Sequence, residues 1–246
     1  MRRALHAEWT KLRTTPGTVL LLLSVVVATV GISILAAAAT DCPGGICAVD
    51  ITKVSLTGVQ LGQAVVAVLA VQLIGAEYGT GMIHVSLAAV PRRLTVLAAK
   101  ALVLTAVVTA AATAGVAGSL VAGNRLLPLT VTDTAVLRAA FGSVLYLVLI
   151  GLLALGVTAA VRTPATAAGL VLGLLYVFPI VGLAATDPDF RRHLDQIAPM
   201  TAGLAIQSTT GLDSLAISPW RGLAVLGAWA AAALLAGGLL IRLRDA

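Results

Sequence analysis

The sequence predicts an all-α membrane protein of six transmembrane helices, with an N-terminal interfacial amphipathic helix and a short cytoplasmic helix between helices two and three. Three observations lead there. Six near-continuous apolar stretches recur, each approaching the ~20 residues that cross a hydrocarbon core about 30 Å thick. The middle of each stretch lacks Asp, Glu, Lys and Arg, any of which would cost roughly 2.5–3.5 kcal/mol at a helix centre. The chain is 59% hydrophobic and 11% charged, with a mean hydropathy of +1.05. A soluble domain carries about a quarter charged residues, so a conventional water-soluble enzyme is excluded. Residues 1–246 read as one membrane domain.

The first span is expected at Thr18–Ala39. Before it, Leu5, Trp9 and Leu12 recur at i, i+4, i+7, while Arg2, Arg3, Thr10 and Arg13 cluster on other faces. With Lys11, this segment reads as a helix lying on the inner leaflet, apolar face down and cations toward anionic lipid. Pro16 and Gly17 then turn the chain into the membrane. Arg2 and Arg3 ahead of a run ending in Ala36, Ala37 and Ala38 imitate a secretory signal. That run is 22 residues long, however, against about 7–15 for a signal's apolar core, and it is read as a retained span.

Cys42-Pro43-Gly44-Gly45-Ile46-Cys47 follows, a tight turn that can bring two sulfurs together. A metal would need four ligands, and no nearby His supplies them. A local Cys42–Cys47 disulfide is favoured over two free thiols on an oxidising face.

The second span is expected at Val54–Gly75 and the third at Leu94–Gly123. Between them, Glu77-Tyr78-Gly79-Thr80-Gly81 and Pro91-Arg92-Arg93 bracket the mostly apolar Met82–Val90. The connection is too polar at its ends to span, and Met82–Val90 reads as a short cytoplasmic helix needing a protein surface or headgroup layer to cover it, with a lipid-facing re-entrant stub as the alternative. Val136–Val161, Ala165–Ala185 and Gly222–Ile241 are the remaining spans. Asp187-Pro188 is a helix start, with Phe190, Leu194 and Ile197 on one face and Pro199 ending it.

Charge sets the orientation. Ten of the 16 basic residues fall on the side of the termini and the 76–93 and 162–164 connections, against three acids. The other side has six basic residues and seven acids. Positive charge stays in the cytoplasm, so both termini are expected there. The net charge of +6 is thereby membrane-orienting, with no nucleic acid implied. Arg outnumbers Lys 13 to 3 in an Ala-, Val- and Gly-rich chain, suggesting a G+C-rich bacterial genome and hence the bacterial plasma (inner) membrane.

Inside the spans, Gly58-x-x-x-Gly62 and Gly169-x-x-x-Gly173 permit close helix approach. Thr105, Thr109 and Thr113 form a hydroxyl stripe, and Gln60 and Gln63 lie near one another. They either line a translocation path or hydrogen-bond between helices, and the second reading is favoured. No carboxylate or His lies within a span, so a proton relay has no carrier. Gly79-Thr80-Gly81 lacks the Lys and the preceding strand of a phosphate loop. This chain is expected not to hydrolyse ATP by itself.

Glu8-Trp9-x-Lys11-Leu12-Arg13 resembles the amphipathic helix that leads into the first span of type-2 ABC-exporter permeases. Glu77-Tyr78-Gly79-Thr80-Gly81, Pro91-Arg92-Arg93 and Lys100 resemble their linker between helices two and three, and Ser218-Pro219-Trp220-Arg221-Gly222 through Arg242-Leu243-Arg244-Asp245-Ala246 resembles an ending of bacterial members. The likeness covers essentially the whole chain. It implies two permease copies, in a homo- or heterodimer, that form a pore in membrane lipid and bind a dimer of separate ABC ATPase subunits. No cofactor would sit on this chain; ATP and Mg would bind the partner. Glu77, Tyr78, Gly79, Thr80, Met82, Arg92 and Arg93 would couple to that partner. Export of a hydrophobic or amphipathic drug, peptide antibiotic or lipid is the implied function. A non-transporting sensor, immunity or scaffold subunit is the alternative.

Overall fold

The computed structural model describes residues 2–42, 47–79 and 93–243, which form helices and, among those residues, no strand. In chain order the helices are α1 (Arg2–Thr14), α2 (Pro16–Ala38), α3 (Ile51–Ser55), α4 (Val59–Gly79), α5 (Arg93–Leu126), α6 (Thr134–Val161), α7 (Pro164–Ala184), α8 (Pro188–Ile197), α9 (Pro199–Leu204) and α10 (Pro219–Leu243). Two 3₁₀ turns, Ala205–Gln207 and Leu212–Ser214, lie between α9 and α10. Six helices, α2, α4, α5, α6, α7 and α10, are long and apolar enough to cross a membrane.

Burial ranks them. In its most apolar stretch α6 is 61% buried and α4 56%, against 17% for α2 and 22% for α7. Thus α6 is the hub, packed by α4, α5, α7 and α10, while α2 packs on α4 and α5 from outside. The outer helices present Leu20, Leu23, Val27 and Leu183 away from the chain, as a lipid-facing surface requires.

Local chemistry places the ends. Only Thr15 separates α1 from α2, and Pro16 opens α2 at the position where a missing N–H costs nothing. Arg162 ends α6 in the left-handed region at φ 67°. Its N–H donates to Thr158 O at 2.8 Å, and Pro164 starts α7 two residues on. The helix start at Asp187-Pro188 is present, with Asp187 accepting from the Asp189 N–H at 3.0 Å and Pro199 opening the next helix. Along α8, however, Phe190 and Ile197 remain exposed.

The second span differs from expectation. Val54 and Ser55 belong to the short α3, and the spanning helix begins at Val59. The break is enforced by packing. Gly58 lies against the Thr29 carbonyl of α2, and its N–H donates to Ser33 Oγ at 3.1 Å. Gly62, one turn on, faces Thr29 Oγ1. At Gly169 and Gly173, with the same spacing, an added Cβ would meet no described atom within 4 Å.

At the end of the bundle away from the N-terminus, Asp50 closes the structure. Its carboxylate caps α3 through the N–H groups of Thr52 (3.1 Å) and Lys53 (3.2 Å). It also accepts from Thr209 N–H (2.5 Å), Thr209 Oγ1 (2.8 Å) and Thr210 N–H (3.0 Å). Partial burial pulls its pKa up, but the donors from Thr209, Thr210 and Lys53 outweigh that and hold it below the ordinary 3.8. A folded-state pKa below the unfolded one gives stability that is complete above the unfolded value and lost as pH falls through the folded value. Asp50→Asn should therefore flatten the acid limb of a stability–pH curve below about pH 4. Asp50→Ala should cost about 2 kcal/mol, read as a lower thermal midpoint in detergent. Nearby, Cys42 and Cys47 are joined in a disulfide.

Candidate functional site

At the N-terminal end of the bundle, α1 packs on α5 and α2 and brings four charges together. Lys100, on α5, is fully buried. Its Nζ donates to Glu8 Oε2 at 2.8 Å, Glu77 Oε1 at 2.8 Å and the Leu73 carbonyl at 3.3 Å. Three donors thus meet three acceptors. Lys11 Nζ donates to Glu77 Oε1 at 2.6 Å and lies 3.4 Å from Glu8 Oε1. Glu8 and Glu77 are 5% and 7% exposed, so both carboxylates are desolvated and depend on the two ammonium groups. Burial alone lowers the Lys11 pKa; the hydrogen bond to Glu77 and the charges of Glu8 and Glu77 reverse this and hold it above its ordinary value.

This arrangement corrects one expectation. The face that α1 turns to the bundle carries Glu8 and Lys11, which pair with Lys100 and Glu77. Trp9 is 45% exposed and Leu5 half-buried. Lys100, counted as an orienting charge, is an internal ion-pair partner. Sequence reasoning left Lys100 and Glu8 out of the candidate set. The available signal was the position of Lys100, seven residues into an apolar stretch, since a cation there demands a carboxylate.

Glu77, Tyr78 and Gly79 form the last turn of α4, which ends at Gly79. Thr80, Met82 and Arg92 lie outside the described residues, as do the expected short helix and the side chains of Leu12 and Arg93. The polar residues within the spans are not gathered into one place. Gln63 is buried, accepts from the Tyr146 hydroxyl and lies 3.2 Å from Met200 Sδ, tying α4 to α6 and α9. The Gln60 carbonyl accepts from Tyr176 Oη at 2.7 Å. Thr109 and Thr113 are exposed and Thr105 half-buried, so the hydroxyl stripe of α5 faces away from this chain's own core.

Six long apolar helices and a charge-locked N-terminal helix define a multi-pass membrane protein. A family profile described as "ABC-2 family transporter protein" matches residues 4–180, and the chain belongs to that family. It is accordingly a membrane transport component and not itself the catalyst. No curated protein matches the chain.

Proposed function

We propose that this chain is the permease subunit of an ATP-driven exporter, one membrane domain whose work is powered by separate ABC ATPase subunits. What carries the reading is the Glu8–Lys11–Glu77–Lys100 cluster, whose two carboxylates and Lys100 are buried, set at the last turn of α4 just before residues 80–92 in the chain. Two desolvated carboxylates shared by two ammonium groups make α1, α4 and α5 move as one body. A push delivered at Glu77–Arg93 then reaches α5 and the hub α6 without slack. In this reading Tyr78, Gly79, Thr80, Met82, Arg92 and Arg93 meet the ATPase, which holds ATP and Mg.

Both termini are cytoplasmic in this scheme, and the membrane is the bacterial plasma membrane. Two permease copies, identical or paired with a second kind, enclose the path. In this reading the outward hydroxyl face of Thr105, Thr109 and Thr113 lines a path between copies. The substrate is hydrophobic or amphipathic, in keeping with apolar walls and no charge at the centre of any span.

Glu77→Gln keeps shape and removes the charge, while Met82→Asp disrupts the apolar linker. Each should leave the permease inserted and lower substrate-stimulated ATP hydrolysis by about tenfold in reconstituted vesicles. If both variants retain the ATPase on co-purification and are stimulated as wild type, the coupling role fails. If the wild type binds no ATPase at all, a sensor or scaffold role replaces transport.

A further inference from the structure

Three accessible polar side chains that lack a full set of partners line one cavity. Gln72 is an exposed amide inside the spanning helix α4, seven residues before its end at Gly79 and so about 10 Å from that end along the axis. An amide at that depth is costly without a hydrogen bond, and among the described residues the Gln72 side chain makes none. Further along α2, Ser24 and Thr29 satisfy their hydroxyls by donating to the Leu20 and Val25 carbonyls at 2.8 and 2.7 Å. The half-buried Thr18, in the first turn, has no described partner for its hydroxyl. Lys11 Nζ reaches Glu77 Oε1 and Glu8 Oε1, which occupies two of an ammonium's three donors. Its side chain is 39% exposed, so the third is reachable.

The cavity lies between α1, α2 and α4 and has a volume of about 550 Å³, within the range of small-molecule sites. Its apolar walls are Leu20, Leu21, Leu69 and Leu73. Glu8 and Glu77 stand behind its polar end, but both are buried and already matched by Lys11 and Lys100. Two carboxylates and two ammonium groups sum to zero, so the cavity carries hydrogen-bonding capacity without net charge.

That combination selects a chemistry. Lys11 only donates, whereas the Gln72 amide and the Thr18 hydroxyl each donate and accept. A carboxylate only accepts, so it leaves the Gln72 oxygen unmet, and its desolvation is poorly repaid by a lysine that Glu77 already neutralises. An ammonium only donates, and it meets the Lys11 charge. Hydroxyl groups do both and lose little on leaving water. The leucine walls call for a hydrocarbon chain. We propose that this cavity binds a neutral amphiphile with a headgroup of two or more hydroxyls and one hydrocarbon chain, the hydroxyls against Gln72, Thr18 and Lys11 and the chain along the leucines. Occupancy requires neither ATP nor an ATPase, so loss of this site and loss of the transport role are read separately.

The test uses the full chain in an amine-oxide detergent, which has no hydroxyl to compete, followed by native mass spectrometry. Four probes share one chain: monooleoylglycerol, methyl oleate, oleate and oleylamine. The expected result is one monooleoylglycerol per chain, held about tenfold more tightly than each of the others. Gln72→Leu should weaken monooleoylglycerol about tenfold and leave methyl oleate unchanged. Leu20→Trp should weaken both by filling the cavity. Gln72 is exposed and Leu20 is 66% exposed, so neither substitution enters the packed core. Methyl oleate bound as tightly as monooleoylglycerol reduces the cavity to an apolar crevice and overturns the site. So does tighter binding of oleate or oleylamine, or full binding of monooleoylglycerol by both variants.

Discussion

Replacing Lys100 with Met is expected to destabilise the folded chain by about 3–5 kcal/mol. Lys100 is fully buried and supplies the only described donor to Glu8 Oε2. Without it that oxygen loses its partner, and Glu77 keeps only Lys11. The cost is that of stranding buried charge, which exceeds the net worth of an intact pair. The readout is the yield of inserted protein and its thermal midpoint in detergent. Adding Glu8→Gln and Glu77→Gln to Lys100→Met should recover most of the loss, because neutral groups of similar shape need no ammonium. A wild-type midpoint for Lys100→Met alone would sink the view that the cluster holds α1 in place.

The second large effect is expected at Gly156. Here α6 and α10 cross at backbone contact: a Cβ on Gly156 would lie 2.5 Å from Ala233 C and Leu234 N, and one on Gly237 would lie 2.6 Å from Gly156 O. Neither obstacle is a side chain that can rotate away. Gly156→Val must push the two helices apart, at a cost of about 3 kcal/mol or more. Gly173→Val, where an added Cβ has no described atom within 4 Å, should leave the midpoint of the isolated subunit unchanged. Equal effects of the two substitutions would contradict the packing.

That contrast shows what a sequence carries and what it does not. Six spans were legible because lipid imposes length and apolarity on each stretch independently of its neighbours. The helix start at Asp187-Pro188 was legible because its signal is local: a capping Asp followed by Pro at the first helical position. Gly58-x-x-x-Gly62 and Gly169-x-x-x-Gly173 are indistinguishable as spacings, and only the neighbour across the groove separates a packed pair from an open one. The break before Val59 was hidden, because Leu56-Thr57-Gly58 continues the apolar pattern and its cause is Thr29 on another helix. The charge cluster was hidden likewise. Lys11 and Glu77 are 66 positions apart and Glu8 and Lys100 are 92, and no local periodicity reports a pairing at that distance. Once Lys100 is seen inside a span, its need for a carboxylate is foreseeable, and Glu77 and Glu8 are two of the three acids on that side.

The Asp50 clasp has a consequence for the order in which the molecule is completed. Its donors at Thr209 and Thr210 lie 159 and 160 positions further along the chain. During synthesis from the N-terminus they emerge only after α7 has been made, so Asp50 spends most of that time capping α3 with those partners missing. The charge cluster needs nothing beyond Lys100 and can close once the start of α5 has followed α4 into the bilayer. One end of the bundle is therefore sealed early and the other last. A nascent chain stopped after α5 should already hold its N-terminal helix in place while its opposite end stands open.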